Sequence, residues 1–184
     1  MAAIFQSFQR LAARVFAGGA GLCMAMIFLI IFLNAVGRYT LGSSLAWGDQ
    51  VPVFLGIYGV MFGMALAYLQ DRHVRLGVIV DFLSIRLREA LFLLVDLAVV
   101  LIGAVLAWSG YLFMSSRGGM RISGLNSTIR SLQEATGLEV FNVFGTMAPY
   151  QFAIVLGGGM LAVAAALKFI ERLGALRATT GEVP

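Results

Sequence analysis

Residues 90–114 read ALFLLVDLAVVLIGAVLAWSGYLFM, a run of 25 residues with one charge, Asp96. A bilayer core about 30 Å thick takes roughly 20 apolar helical residues to cross, since a helix rises about 1.5 Å per residue. Three further stretches, 15–36, 51–69 and 140–167, have the same character and carry no charge at all. Together the four hold 94 of the 184 residues, whereas the rest of the chain is as charged as an ordinary aqueous surface. The overall 60% hydrophobic and 12% charged content is therefore an average of two populations.

Backbone groups in lipid must be paired within their own segment, so these stretches read as helices. A β-barrel would show alternating strands of about ten residues, and none is present. The expected fold is all-α, a single membrane domain over 1–184 with four transmembrane helices at about 15–36, 51–69, 90–114 and 140–167. The composition excludes a soluble enzyme, a disordered chain and a disulfide-stapled secreted domain. Residues 15–36 are too long for a signal-peptide core, and no small-x-small cleavage site follows before Arg38, so the first helix is expected to be retained.

The loops are short, so lysine and arginine placement sets orientation. With a cytoplasmic N-terminus the inner segments hold nine basic residues and the outer ones four, Arg38, Arg117, Arg121 and Arg130. Both termini are expected inside. Twelve of the thirteen basic residues are arginines spread over all polar segments, with no basic run. That pattern suits a membrane surface and does not suit nucleic acid.

Several features outside the hydropathy pattern qualify as candidate interaction sites. Residues 1–14 place Ile4, Phe5, Phe8 and Leu11 at helical spacing, an amphipathic lead-in for the inner interface. Gly59, Gly63 and Ala67 form a small-residue stripe that permits close helix approach, and Gly103 with Ala107 and residues 157–166 repeat it more loosely. Arg38 is placed to pair with Asp49 across the first outer loop, beside Trp47 at the membrane boundary. Asp71, Arg72, His73 and Arg75 cluster in the inner loop, which alternates charged and apolar residues as a surface-lying segment does. Ser131 and Glu134 have the spacing of a capping box and Gly137 that of a helix stop, so a short external helix is expected at about 131–137.

Chemistry in the chain is sparse. Cys23 is the sole cysteine and His73 the sole histidine, which excludes an internal disulfide, a cysteine-ligated cluster and a bis-histidine haem. No phosphate-binding loop or positioned nucleophile is visible, so no catalytic, cofactor or metal site is expected. Asp96 must face protein or water, because a charge in mid-bilayer costs at least ~2.5 kcal/mol. It is read first as a carboxylate bonded to a neighbouring helix. The alternative is the protonating centre of a self-contained small proton-coupled exporter.

The ordered set Asn34-x-x-x-Arg38-Tyr39, Trp47-x-Asp49, Gly63-x-x-x-Ala67-Tyr68 and Arg72-His73-Val74-Arg75 resembles the small membrane subunit of tripartite ATP-independent periplasmic (TRAP) transporters. The match is close over roughly residues 30–85, and the size, the four spans and Pro149 agree beyond it. Gln50 and Gly77 stand where the family often has acidic residues. The resemblance implies a scaffold subunit of the bacterial inner membrane that supports a large permease and helps dock a periplasmic substrate-binding protein. It also implies that the large subunit, and not this chain, binds sodium and the imported organic acid. Membrane lipid is the remaining expected partner.

Overall fold

The structure is a computed structural model that describes residues 2–42, 44, 47–71, 84–137, 139 and 141–180. Among these there is no strand, and six helices follow one another: α1 (Ala2–Thr40), α2 (Gln50–Leu69), α3 (Ile85–Arg117), α4 (Ser123–Thr136), α5 (Phe141–Phe144) and α6 (Ala148–Thr180). Four contain segments long and apolar enough to cross a membrane: Phe5–Thr40, Gln50–Leu69, Leu87–Arg117 and Ala148–Gly174. The all-α, four-span architecture read from the charge pattern is the one observed.

Three boundaries differ from those expected, each for a physical reason. The amphipathic lead-in is continuous with the first span, because Phe5, Ala12 and Ala13 pack on a buried core cluster. The last span starts at Ala148 and not near 140. Residues 141–147 are instead a single helical turn and a reversal, in which the Thr146 hydroxyl donates to the Val143 carbonyl at 2.7 Å. Pro149 then enters α6 within its first turn, where a missing N–H costs nothing. Absence of charge alone does not register such a turn, since residues 140–147 are as uncharged as the start of the span.

The third difference is the external helix, which begins at Ser123, two turns before Ser131. Ser131 is therefore an exposed mid-helix residue and no capping box forms there. The apolar residues Ile122, Leu125 and Ile129, three and four apart, bury against Trp47, Val51, Phe54, Met147 and Tyr150 and draw the helix out. Its expected stop is observed: Gly137 adopts φ +68°, and its N–H donates to the Gln133 carbonyl at 2.8 Å.

The spans pack in the order α1, α2, α6, α3, with α3 against α6 as the most extensive pairing. Glycine makes that pairing possible. A methyl group added at Gly103 would lie 2.7 Å from the Ala162 amide nitrogen, and one at Gly158 would lie 2.5 Å from that of Ala107. The two backbones therefore approach until only hydrogen fits between them. The stripe on α2 behaves differently. A methyl added at Gly59 would lie 3.3 Å from Cys23 Cβ of α1, but one at Gly63 would meet nothing within 4 Å.

Candidate functional site

The bundle has two polar ends. At the end where α1 begins and α6 finishes, α6 carries Lys168 and Arg172 one helical turn apart, directed at α2 and α3. The turn leaving α2 supplies Asp71, whose carboxylate takes Lys168 Nζ at 2.6 Å and Arg172 Nη2 at 2.8 Å. From α3 comes Asp96, only 1% exposed, which accepts from Arg172 Nη1 at 2.7 Å and from the Tyr68 hydroxyl at 2.5 Å. Glu171 closes the other side, taking Lys168 at 3.1 Å and Gln9 of α1 at 2.8 Å. One connected network thus joins all four spans.

Each feature of this clasp has a local cause. Asp96 and Phe92 lie one turn apart on α3, so the Arg172 guanidinium that reaches Asp96 also covers the Phe92 ring at 4.8 Å. Its planar fork aims one terminal nitrogen at each of two carboxylates, Nη1 at Asp96 and Nη2 at Asp71. Asp71 holds φ +55°, a conformation that costs energy for a residue with a Cβ. Two strong ion pairs offset that cost and end α2 at the point where the chain must turn. Buried charges of this kind hold position and register, because removing one partner strands the other.

Asp96 and Asp71 stand out in the sequence, whereas Lys168 and Arg172 count there only among the nine inner basic residues that set orientation. A usable signal was present. Two cations spaced i, i+4 directly beyond an apolar span are matched, elsewhere in the chain, by a carboxylate buried within a span. Arg72, His73 and Arg75 lie outside the described residues.

At the opposite end the other candidates divide. Asp49 meets Asn34 at 3.4 Å, and Arg38 is exposed, so Asn34 holds the position expected of the arginine. Gly48 fits under that contact, since an added methyl would lie 2.6 Å from Asn34 Nδ2. Trp47 turns the chain into α2 through its carbonyl, which accepts from the Gln50 and Val51 amides at 3.2 and 3.1 Å. Its ring supports the apolar face of α4. Glu134 pairs with Arg130 at 3.8 Å on the exposed face of the same helix, beside Ser131. Trp47–Asp49 and Ser131–Glu134 therefore share one end of the bundle. Gly59, Gly63 and Ala67 lie together along α2, on the segment between the two ends.

The family model described as tripartite ATP-independent periplasmic transporters, DctQ component, matches residues 27–175. The matched region contains Asn34, Trp47, both helices of the glycine crossing and every charged member of the clasp. No curated protein matches the chain. A match over most of the length, on a bundle with four helices fit to cross a membrane, places the protein: it belongs to the DctQ family, the multi-pass membrane component of tripartite transporters that also include a large permease and a substrate-binding protein.

Proposed function

We propose that this chain is the scaffold subunit of a sodium-coupled importer of organic acids in the bacterial inner membrane. It stands with both termini in the cytoplasm, holds the large permease in place, and offers the α4 end to the periplasmic binding protein. Sodium and the organic acid bind the large subunit. The nine-to-four bias of basic residues supports this orientation.

The observation that carries the reading is how the charges within the spans are used. Asp96, Lys168 and Arg172 are committed to one another and to Asp71. An anion carrier would need a cation free to exchange partners, and a proton carrier a carboxylate free to titrate, so Asp96 serves better as a rivet than as a coupling group. A second feature agrees. The outer side of α2 carries Gly56 and Gly63, where an added methyl meets nothing, and Val60, which is 67% exposed. A large membrane partner can approach closely there.

Two experiments test the reading. In membranes that contain the whole transporter, Gly63→Leu should reduce recovery of the permease with the tagged chain, because leucine fills the space left for the partner. Full recovery from that variant speaks against α2 as the contact. Alanine replacement of Trp47, Asp49, Ser131 and Glu134 together should weaken uptake that depends on the binding protein. Normal uptake would remove the docking role.

A further inference from the structure

Between α4 and α5 lies a cavity of about 540 Å³ that no part of the clasp or the helix crossing uses. One wall is a face of α4 carrying Asn126, Arg130 and Gln133 at i, i+4, i+7. The facing wall holds Arg121 and Asn142. This wall is pinned by backbone pairing: the Ile122 amide donates to Gly145 at 2.9 Å, Met147 to Met120 at 2.9 Å and Ala148 to Gly118 at 3.0 Å. Buried Ile129 lies at its base, next to Gly145, where an added methyl would come within 3.0 Å of the isoleucine Cδ1. Glycine there keeps the space open.

The lining is two guanidiniums and three carboxamides, with no carboxylate among the described lining residues. Glu134, the nearest acid on α4, contacts Arg130 at 3.8 Å with both side chains largely exposed, a pair of little worth that an incoming anion displaces. Guanidinium forks match the two oxygens of a carboxylate, and amide groups suit its remaining lone pairs or a neighbouring hydroxyl. The volume lies within the range of small-molecule sites, roughly 300–1,000 Å³.

We propose that this cavity is a carboxylate-binding site, formed by Arg121 and Arg130 with Asn126, Gln133 and Asn142. The inference rests on the functional reading above, which places this end in the periplasm of an organic-acid importer. Two sources supply the chemistry: a free dicarboxylate held near the permease entrance, or an acidic side chain of the docked binding protein.

The test is isothermal titration of the full-length chain in detergent micelles, with succinate and, separately, with a blocked Glu-Gly-Glu peptide. Saturable binding of at least one probe is expected. Arg121→Gln with Arg130→Gln should weaken it at least tenfold. Arg38→Gln removes an exposed arginine at the same end but outside the cavity, and should change it less than twofold. Succinate binding alone identifies the free solute as the source, and peptide binding alone identifies the partner's side chain. The proposal is overturned if neither probe binds, if Arg38→Gln costs as much as the double change, or if inorganic phosphate competes as tightly as succinate. Permease recovery with the R121Q/R130Q variant reports separately on the scaffold reading and should stay intact.

Discussion

The ion-pair clasp makes an asymmetric prediction about stability. When Arg172 is replaced by methionine, Asp71 keeps Lys168 at 2.6 Å, but Asp96 keeps only the Tyr68 hydroxyl. A carboxylate 1% exposed is then left without a cation. Breaking a buried pair from one side costs about 3–5 kcal/mol. A chain of this size loses about 2–4 °C of melting temperature per kcal/mol, so Arg172→Met should melt roughly 10 °C below the parent. Asp96→Asn should be milder, because the amide still accepts from Tyr68 and Arg172 still has Asp71. In Arg172→Met combined with Asp96→Asn the stranded charge is gone, so much of the loss should return and the two effects should fail to add by at least ~1 kcal/mol. Thermal unfolding in micelles, followed by the fluorescence of Trp47 and Trp108, measures all four proteins of the cycle. Strict additivity, or an Arg172→Met melting point within 2 °C of the parent, would falsify the clasp.

Other consequences follow from the same geometry. Gly158→Leu should destabilise the isolated chain by about 3 kcal/mol or more and separate α3 from α6, since the new Cβ would lie 2.5 Å from the Ala107 amide nitrogen. Gly63→Leu should leave the melting point of the isolated chain within about 2 °C, so one pair of melting curves separates an internal seam from an external one. Trp47→Ala should loosen α4 from its support, which limited proteolysis would register as faster cleavage between 118 and 147. Ser131→Ala should change stability by no more than about 0.5 kcal/mol, as for any exposed mid-helix site. A loss near 1 kcal/mol, the usual cost of deleting an N-cap, would restore the capping box.

What the sequence disclosed here is set by the range of the interaction. Hydropathy is summed along the chain, so four spans were legible from charge placement alone. Asp96 was legible as a buried, bonded carboxylate because a lone charge in a span admits few fates. Its partner was not, since Lys168 and Arg172 look like any cations at a membrane boundary until α6 is laid beside α2 and α3. The glycines show the same limit. GxxxG at Gly59–Gly63 has the better local motif, yet the tight crossing belongs to Gly103 and Gly158, because which stripe meets a backbone is decided by the fold. The Ser131–Glu134 pattern misled for a complementary reason. Two local signals competed, and the apolar spacing of Ile122, Leu125 and Ile129 won because burial against Trp47 outweighs a cap.

The central claim is that this chain holds a transporter together without carrying the solute. Reconstitution tests it most directly: radiolabelled succinate uptake, under an inward sodium gradient, into liposomes that contain the chain alone, the large permease with binding protein alone, or all three. No uptake is expected from the chain alone, and full sodium-dependent uptake only with all three. Sodium- or proton-driven accumulation by the chain alone, abolished by Asp96→Asn, would contradict it.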